Sequence, residues 1–385
     1  MLDTIVLTLS SDMFRILEPD RFEPSARLIT DPYTSFGGRG YKKCQQNPTK
    51  QELRNGFYKP RLTLTNRFNH LGNRDTTLKI EFSLPKLLYG NNFDELTAVD
   101  LEKVTSKLLS RLSEMGVQVS ITTILNAPVS SIHYSKNIPL VNGITPHYII
   151  GKIQQSNVSL CLDINQTDYR NSGHSFKWHA NSYEIAFYDK IKDLESAKKS
   201  AKRSLEIDNL IQLGLFDDLQ KRNHFEVLRM EVRLNKRQKI KQVFKKLNLS
   251  CNLTYQNLVS EEASRLVLGH YLTEIEHTRL PFYDYKSNDI NQLLPDMIIN
   301  NPNLKTNKML VMYGLTRALE IYTPRKLRSM LGNLSYRQWY RLMSDVKNLK
   351  LPLSQSPFTF IRQQLADFKP LRLVDYQDRL LHNVN

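Results

Sequence analysis

Glu184-Ile185-Ala186-Phe187-Tyr188-Asp189-Lys190 alternates apolar and polar side chains with a period of two. This spacing predicts a strand with Ile185 and Phe187 on one face and Glu184, Ala186, Tyr188 and Lys190 on the other. The tyrosine thus falls on the polar side. Three further segments share the period and carry an acidic or imidazole group on their polar side: Glu81 within Thr76–Leu84, His133 within Val129–Ser135, and Glu231 within Phe225–Leu234. In the last, Leu228, Met230, Val232 and Leu234 form the apolar side, and Arg229 and Arg233 flank Glu231 on the other.

Working outward, Leu2–Leu9 and Arg61–Phe68 also read as strands, as do Val117–Leu125, Ser159–Ile164 and Ser175–Trp178. Between Ser11 and Gly56 the pattern dissolves into a basic loop, with Gly37, Gly38 and Gly40 beside Lys42 and Lys43, which lacks the spacing of a phosphate-cradling loop. Leu101, Val104, Leu108, Leu112 and Met115 recur at helical steps, so Asp100–Met115 is a helix, with Thr97 or Asp100 as cap and Gly116 as stop. A Lys-rich helical region is expected from about Ile191 to Gln220. Beyond residue 247 helical patterns take over. Thr323-Pro324 opens one helix that Gly332 ends, and Ser335-Tyr336-Arg337-Gln338 is a capping box for the next. The expected architecture is α+β: an antiparallel-rich sheet with helices over residues 1–247, followed by a helical domain over residues 248–385.

The 385 residues carry a net charge of +16, with 40% hydrophobic and 24% charged residues. So large a cationic excess attracts polyanions, nucleic acid or anionic membrane. No run of about 18 apolar residues is present to cross a bilayer, and the N-terminal stretch does not resemble a secretory signal. Cys44, Cys161 and Cys251 are scattered, without a C-x-x-C pair, which fits a reducing compartment and no disulfide framework.

If the polar faces adjoin, Glu81, His133 and Glu231 offer two carboxylates and an imidazole, a set suited to Mg²⁺ or Mn²⁺. Tyr188 beside them is a candidate nucleophile, and Lys190 a cation that lowers its proton affinity or neutralises a phosphate. Arg229, Arg233, Lys236, Arg237, Lys239 and Lys241, with Arg325, Arg328, Arg337 and Arg341 further on, are candidate DNA contacts. Each piece also has a plainer reading. A strand tyrosine commonly packs, Glu231 between two arginines can be an ion-paired strand carboxylate, a lone histidine is commonly structural, and a basic run can be a solvated face.

Ile80-Glu81-Phe82-Ser83-Leu84-Pro85-Lys86-Leu87-Leu88-Tyr89-Gly90-Asn91-Asn92, then Phe187-Tyr188-Asp189-Lys190, then Leu228-Arg229-Met230-Glu231-Val232-Arg233-Leu234, taken in this order, resemble the gene-II-type replication initiators of filamentous phages and their phage and plasmid relatives. The opening Met1–Leu7 and the late Tyr336–Tyr340 segment resemble that family's ends. The resemblance implies rolling-circle initiation: a tyrosine nicks one strand of a double-stranded origin, stays on the 5′-phosphate, leaves a 3′-hydroxyl for polymerase, and later rejoins the displaced strand. It places the tyrosine on Tyr188 and the acidic positions on Glu81 and Glu231. Ser131-Ile132-His133 stands where filamentous-phage members carry Arg-Ile-Asp, and there is no His-hydrophobic-His triplet. The implied partners are origin duplex, displaced single strand, host helicase and polymerase, in the cytoplasm of a bacterial host, with a homodimer left open. A non-catalytic DNA-binding repressor or accessory protein, or a transposase or relaxase using the same tyrosine, are the rival functions.

Overall fold

The computed structural model describes residues 1–30, 42–49, 51–52, 58–68, 74–140, 144–154, 163–170, 173–194, 226–286, 289, 291–353 and 356–372. The glycines of the expected basic loop, most of the Lys-rich helical region and Cys161 lie outside the described residues. The strands are β1 Leu2–Ser10, β2 Arg15–Ile16, β3 Lys42–Gln46, β4 Arg61–Phe68, β5 Arg74–Ser83, β6 Val117–Gln118, β7 Val129–Leu140, β8 Asp163–Arg170, β9 Ser175–His179, β10 Tyr183–Asp189 and β11 Glu226–Leu234. The fold class is α+β, with helices dominating the C-terminal part.

Two compact units divide the chain, residues 1–139, 181–268 and 368–385 in one, and 140–180 and 269–367 in the other. The single break expected near residue 247 is therefore not where the units part. Residues 140–180 leave the sheet-forming stretch for the second unit, and residues 368–372 return to the first, a long-range arrangement that composition along the chain does not reveal.

In the first unit the sheet runs β3-β4-β5-β1-β7-β11-β10. The β3–β4, β4–β5, β5–β1, β1–β7 and β11–β10 pairs are antiparallel. Ile5, Leu7, Leu78, Ile80, Phe82, Ile132, Phe187, Met230 and Val232 are all buried on the apolar side. Each contributes about 1.5–3 kcal/mol relative to exposure, which fixes the register: a slip by one residue would turn these side chains outward and Tyr188 inward.

The helix Leu101–Glu114 buries Val104, Leu108 and Leu112, as its spacing requires. It is stopped by Gly116 at φ 72°, whose carbonyl accepts from the Leu17 and Glu18 amides. Asp100 precedes it without capping it: the carboxylate instead accepts from the Thr97 amide and hydroxyl and from the Tyr89 hydroxyl. Two expected strands end earlier than their β-branched content suggested. The fifth strand ends at Ser83, where Leu84-Pro85 starts the helix Leu84–Tyr89. Past Gln118, Ser120 caps Thr123 and turns Ile121–Leu125 into a helix, a local side-chain bond overriding propensity.

A buried ion pair closes this unit. Glu95 receives Lys136 Nζ at 2.6 Å, the Asn137 amide at 2.6 Å and, from far along the chain, the Leu371 amide at 2.8 Å. In the second unit β8 and β9 form an antiparallel hairpin. The helices Leu293–Asn300, Thr306–Ile321, Pro324–Met330 and Tyr336–Lys347 share a core that includes Met297, Met312, Leu319, Leu327, Trp339, Met343 and Val346. Gly332 follows Pro324–Met330 without a left-handed conformation, so Leu331 rather than Gly332 makes the cap.

Candidate active site

The polar face of the β10–β11 ladder carries the site. Tyr188 pairs with Arg229, Ala186 with Glu231 and Glu184 with Arg233, so all six share one side of the sheet. The Tyr188 hydroxyl donates to Glu231 Oε2 at 3.1 Å. Arg233 clasps both oxygens of the same carboxylate, Nε to Oε1 at 3.0 Å and Nη2 to Oε2 at 3.2 Å, and reaches Glu184 at 3.3 Å. His133 Nδ1, from β7, lies 3.6 Å from Glu231 Oε1. Arg229 donates to the Asn92 carbonyl at 2.7 Å and Ser135 Oγ at 2.9 Å, and stands 3.3 Å from Asp3 Oδ2. Asp3 is itself held by Ser83 Oγ at 3.0 Å.

This face is drier than its polarity suggests. Arg229 and Glu231 are 3% and 1% exposed, while Tyr188 is half-buried. A buried charge of this kind persists only when paired, and here every charge is. Lys190 departs from its expected position. The strand ends at Asp189, and Lys190 opens a helical turn, fully buried, with Nζ 5.8 Å from the centre of the Tyr188 ring and 3.4 Å from Asp193 Oδ2. It thus meets the tyrosine over the ring instead of along the strand.

The electrostatics follow from burial and pairing. Burial pushes the Tyr188 phenol well above its usual value, with Arg229 opposing and Glu231 reinforcing the rise. Burial also works to raise Glu231, but the charges of Arg233 and Arg229, the Arg233 hydrogen bonds and His133 outweigh it and hold the carboxyl below the ordinary carboxylate range. Burial lowers His133, with Glu231 opposing. It lowers Lys190 to about 8, helped by Arg229 and resisted by Asp193 and Asp3. In this state the phenol is a neutral donor to an ionised acceptor.

The structure brings Tyr188, Lys190, Glu231 and His133 together and leaves Glu81 out. Glu81 sits on β5 opposite Arg61, with which it pairs at 3.8 Å on the open side of the sheet. Three strand steps separate β5 from β11 in the order β5-β1-β7-β11, about 14 Å at the usual inter-strand spacing. Alternation assigns a residue to a face but says nothing of which strands adjoin, hence the misplacement. Among the described residues no group of three or more His, Cys, Asp or Glu side chains is arranged to hold a metal ion. The expected Glu81–His133–Glu231 set therefore does not fit Mg²⁺ or Mn²⁺ as a unit.

The expected DNA contacts divide. Arg229 is spent on Asp3, Ser135 and Asn92 inside the protein and presents nothing to solvent. Arg233 retains about a quarter of its side-chain surface. Lys239 lies 4.1 Å over the Tyr183 ring, whereas Lys236, Arg237 and Lys241 are exposed at the start of the helix Arg237–Lys246. In the second unit Arg337 and Arg341 are exposed and Arg328 stacks over Tyr336 at 5.1 Å; the side chain of Arg325 lies outside the described residues. Sequence reasoning missed Asp3, Asn92 and Ser135, of which Asp3, a lone acid in an opening strand, carried the one usable signal.

No family model, curated protein or solved structure matches the chain. Among the described residues no helix is long and apolar enough to cross a membrane.

Proposed function

We propose that this chain nicks and rejoins DNA through Tyr188, as a rolling-circle replication initiator acting on a double-stranded origin. The observation that supports it most is the Tyr188 phenol donating to Glu231 beside the partly exposed Arg233: a nucleophile, a proton acceptor and a cation for a phosphate on one face.

Arg233 is the partly exposed cation here, and an entering phosphate would compete with Glu231 for it. Freed of Arg233, Glu231 becomes more basic and takes the Tyr188 proton as Oη attacks phosphorus. The new bond is Oη–P and the broken one is P–O3′. The electron pair stays on O3′, which takes up the proton that Glu231 removed from Tyr188 and becomes the primer end. Reversal by a later 3′-hydroxyl rejoins the strand without nucleotide hydrolysis. Lys236, Arg237 and Lys241 supply sequence-independent phosphate contacts. Displaced single strand, host helicase and polymerase are the corresponding partners, in a bacterial cytoplasm.

The test is supercoiled plasmid carrying the DNA that flanks the gene, incubated with the protein and Mg²⁺ or Mn²⁺. Nicked circles with protein on the 5′ end, absent with Tyr188→Phe while DNA affinity is kept, are the expected result. Nicking by the Tyr188→Phe protein overturns it. Tight binding without any nick favours a non-catalytic DNA-binding protein, for which the full engagement of Glu231 by Arg233 already speaks.

A further inference from the structure

We infer that the helix Tyr336–Lys347 is a recognition helix that enters the major groove of duplex DNA and reads base edges, chiefly with Arg337 and Arg341. This rests on the DNA-directed function proposed above but not on the chemistry of Tyr188.

Three successive helices, Thr306–Ile321, Pro324–Met330 and Tyr336–Lys347, share one core. The short connection Leu331–Ser335 joins the last two, and both begin on a hydroxyl cap, Thr323 on the Lys326 amide and Ser335 on the Gln338 amide. Three helices on one core with a turn of a few residues before the last is the element order from which helix-turn-helix proteins present a helix to the major groove. Here the last helix turns Trp339, Met343 and Val346 inward and leaves Tyr336, Arg337, Tyr340, Arg341 and Lys347 exposed. Residues 336 and 340, and 337 and 341, are each about one helical turn apart and so form two adjacent rows on the exposed side.

The charge of the face suits a polyanion. Between Pro324 and Lys347 the basic residues are Arg325, Lys326, Arg328, Arg337, Arg341 and Lys347, against Asp345 alone. Asp345 is neutralised by Lys308 at 2.8 Å. Gln338 is engaged in its own capping box, so it orients the start of the helix instead of reading a base. Arg328, stacked over Tyr336 at the start of the helix, adds a cation beside this face for a backbone phosphate. Arg337 and Arg341 have the planar fork that matches guanine O6 and N7, a pairing that discriminates against a wrong base by roughly 5- to 150-fold. The exposed tyrosines fit thymine methyls and sugar edges.

The test is affinity selection from a randomised duplex library at physiological salt, using the full-length Tyr188→Phe chain so that no strand can be cut. A short enriched motif is expected, in which Arg337→Ala and Arg341→Ala each relax one guanine position by about tenfold while affinity for random duplex falls little. Arg337→Lys keeps the charge and loses the fork, so it should relax the same position. Both arginines are exposed, and unchanged melting of the variants shows that the fold is intact. No enriched motif, a motif untouched by either alanine variant, or full recovery of discrimination by Arg337→Lys overturns the inference. A chain that selects a motif yet never nicks leaves it standing and removes the strand-transfer function; one that nicks without selecting does the reverse.

Discussion

Tyr188 and Glu231 meet diagonally across the β10–β11 ladder: the tyrosine is paired in register with Arg229, the glutamate with Ala186, and the phenol spans the diagonal to Oε2 at 3.1 Å. Small Ala186 directly across from Glu231 leaves room for that reach. The carboxylate, itself 1% exposed, thereby joins one phenol, one guanidinium and one imidazole that each keep part of their surface open. Stability and chemistry at this point are consequently coupled.

Glu231→Gln should cost far more than Tyr188→Phe. The first leaves Arg233 and Arg229 short of a buried counter-charge, worth about 3–5 kcal/mol. The second removes one hydrogen bond, worth about 1 kcal/mol, from a carboxylate that Arg233 still satisfies. Thermal melting of the two variants side by side measures the difference, and equal losses would refute the buried network.

Lys190→Met should raise stability at neutral pH and remove a pH dependence. Burial lowers Lys190 to about 8 from an ordinary value of 10.5. The folded state therefore binds fewer protons than the unfolded one between these values, and stability rises with pH through that window. Below about 8 the cost of burying the charge, a few kcal/mol, is fully present. The methionine variant should melt higher at pH 7, show a flatter profile above pH 8, and lose strand cleavage.

Acid should destabilise the fold through two further groups. Glu231 is depressed in the folded state, so its contribution is complete above the ordinary carboxylate range and fades as pH falls toward the folded value. His133, also depressed, resists protonation in the folded state, so stability begins to fall as pH drops below 6.5. Denaturant midpoints between pH 7 and 3 should decline in two stages, the upper one missing in His133→Phe.

Lys236, Arg237 and Lys241 changed together to alanine should weaken DNA binding without touching the fold. The logarithmic salt slope should shrink by about 0.9 for each duplex phosphate that the protein no longer neutralises. Filter binding across a salt series reads the slope directly; an unchanged slope means that this helix does not touch DNA.

Gly116→Ala tests the helix stop. At φ 72° a side chain is strained, and its Cβ would come within 2.5 Å of Glu18 Cβ. A loss of more than about 2 kcal/mol is expected from the two effects together, read as a lower melting temperature.

Periodicity was a sufficient guide to faces but not to neighbours. The alternation in Tyr183–Asp189 and Glu226–Leu234 put Tyr188, Glu231, Arg229 and Arg233 on one side, and the ladder agrees. It could not tell that Glu81 lies three strands from β11, because strand order is set by long-range pairing. Nor could it tell that a polar face is buried, since exposure of Arg229 depends on Asn92 and Ser135, which arrive from other parts of the chain. Caps were legible where one side chain decides them, as at Thr323 and Ser335, and illegible at Ser120, where β-branched neighbours argued for a strand.

The bond from the Leu371 amide to Glu95 sets an order of events during synthesis. A nascent chain that has already paired β1, β5, β7, β10 and β11 still lacks this bond, which waits for Leu371 to leave the ribosome. The helices Thr306–Ile321, Pro324–Met330 and Tyr336–Lys347 are made before that last bond can form. The buried Glu95 network of the first unit is thereby completed only after the helices of the second unit have been translated.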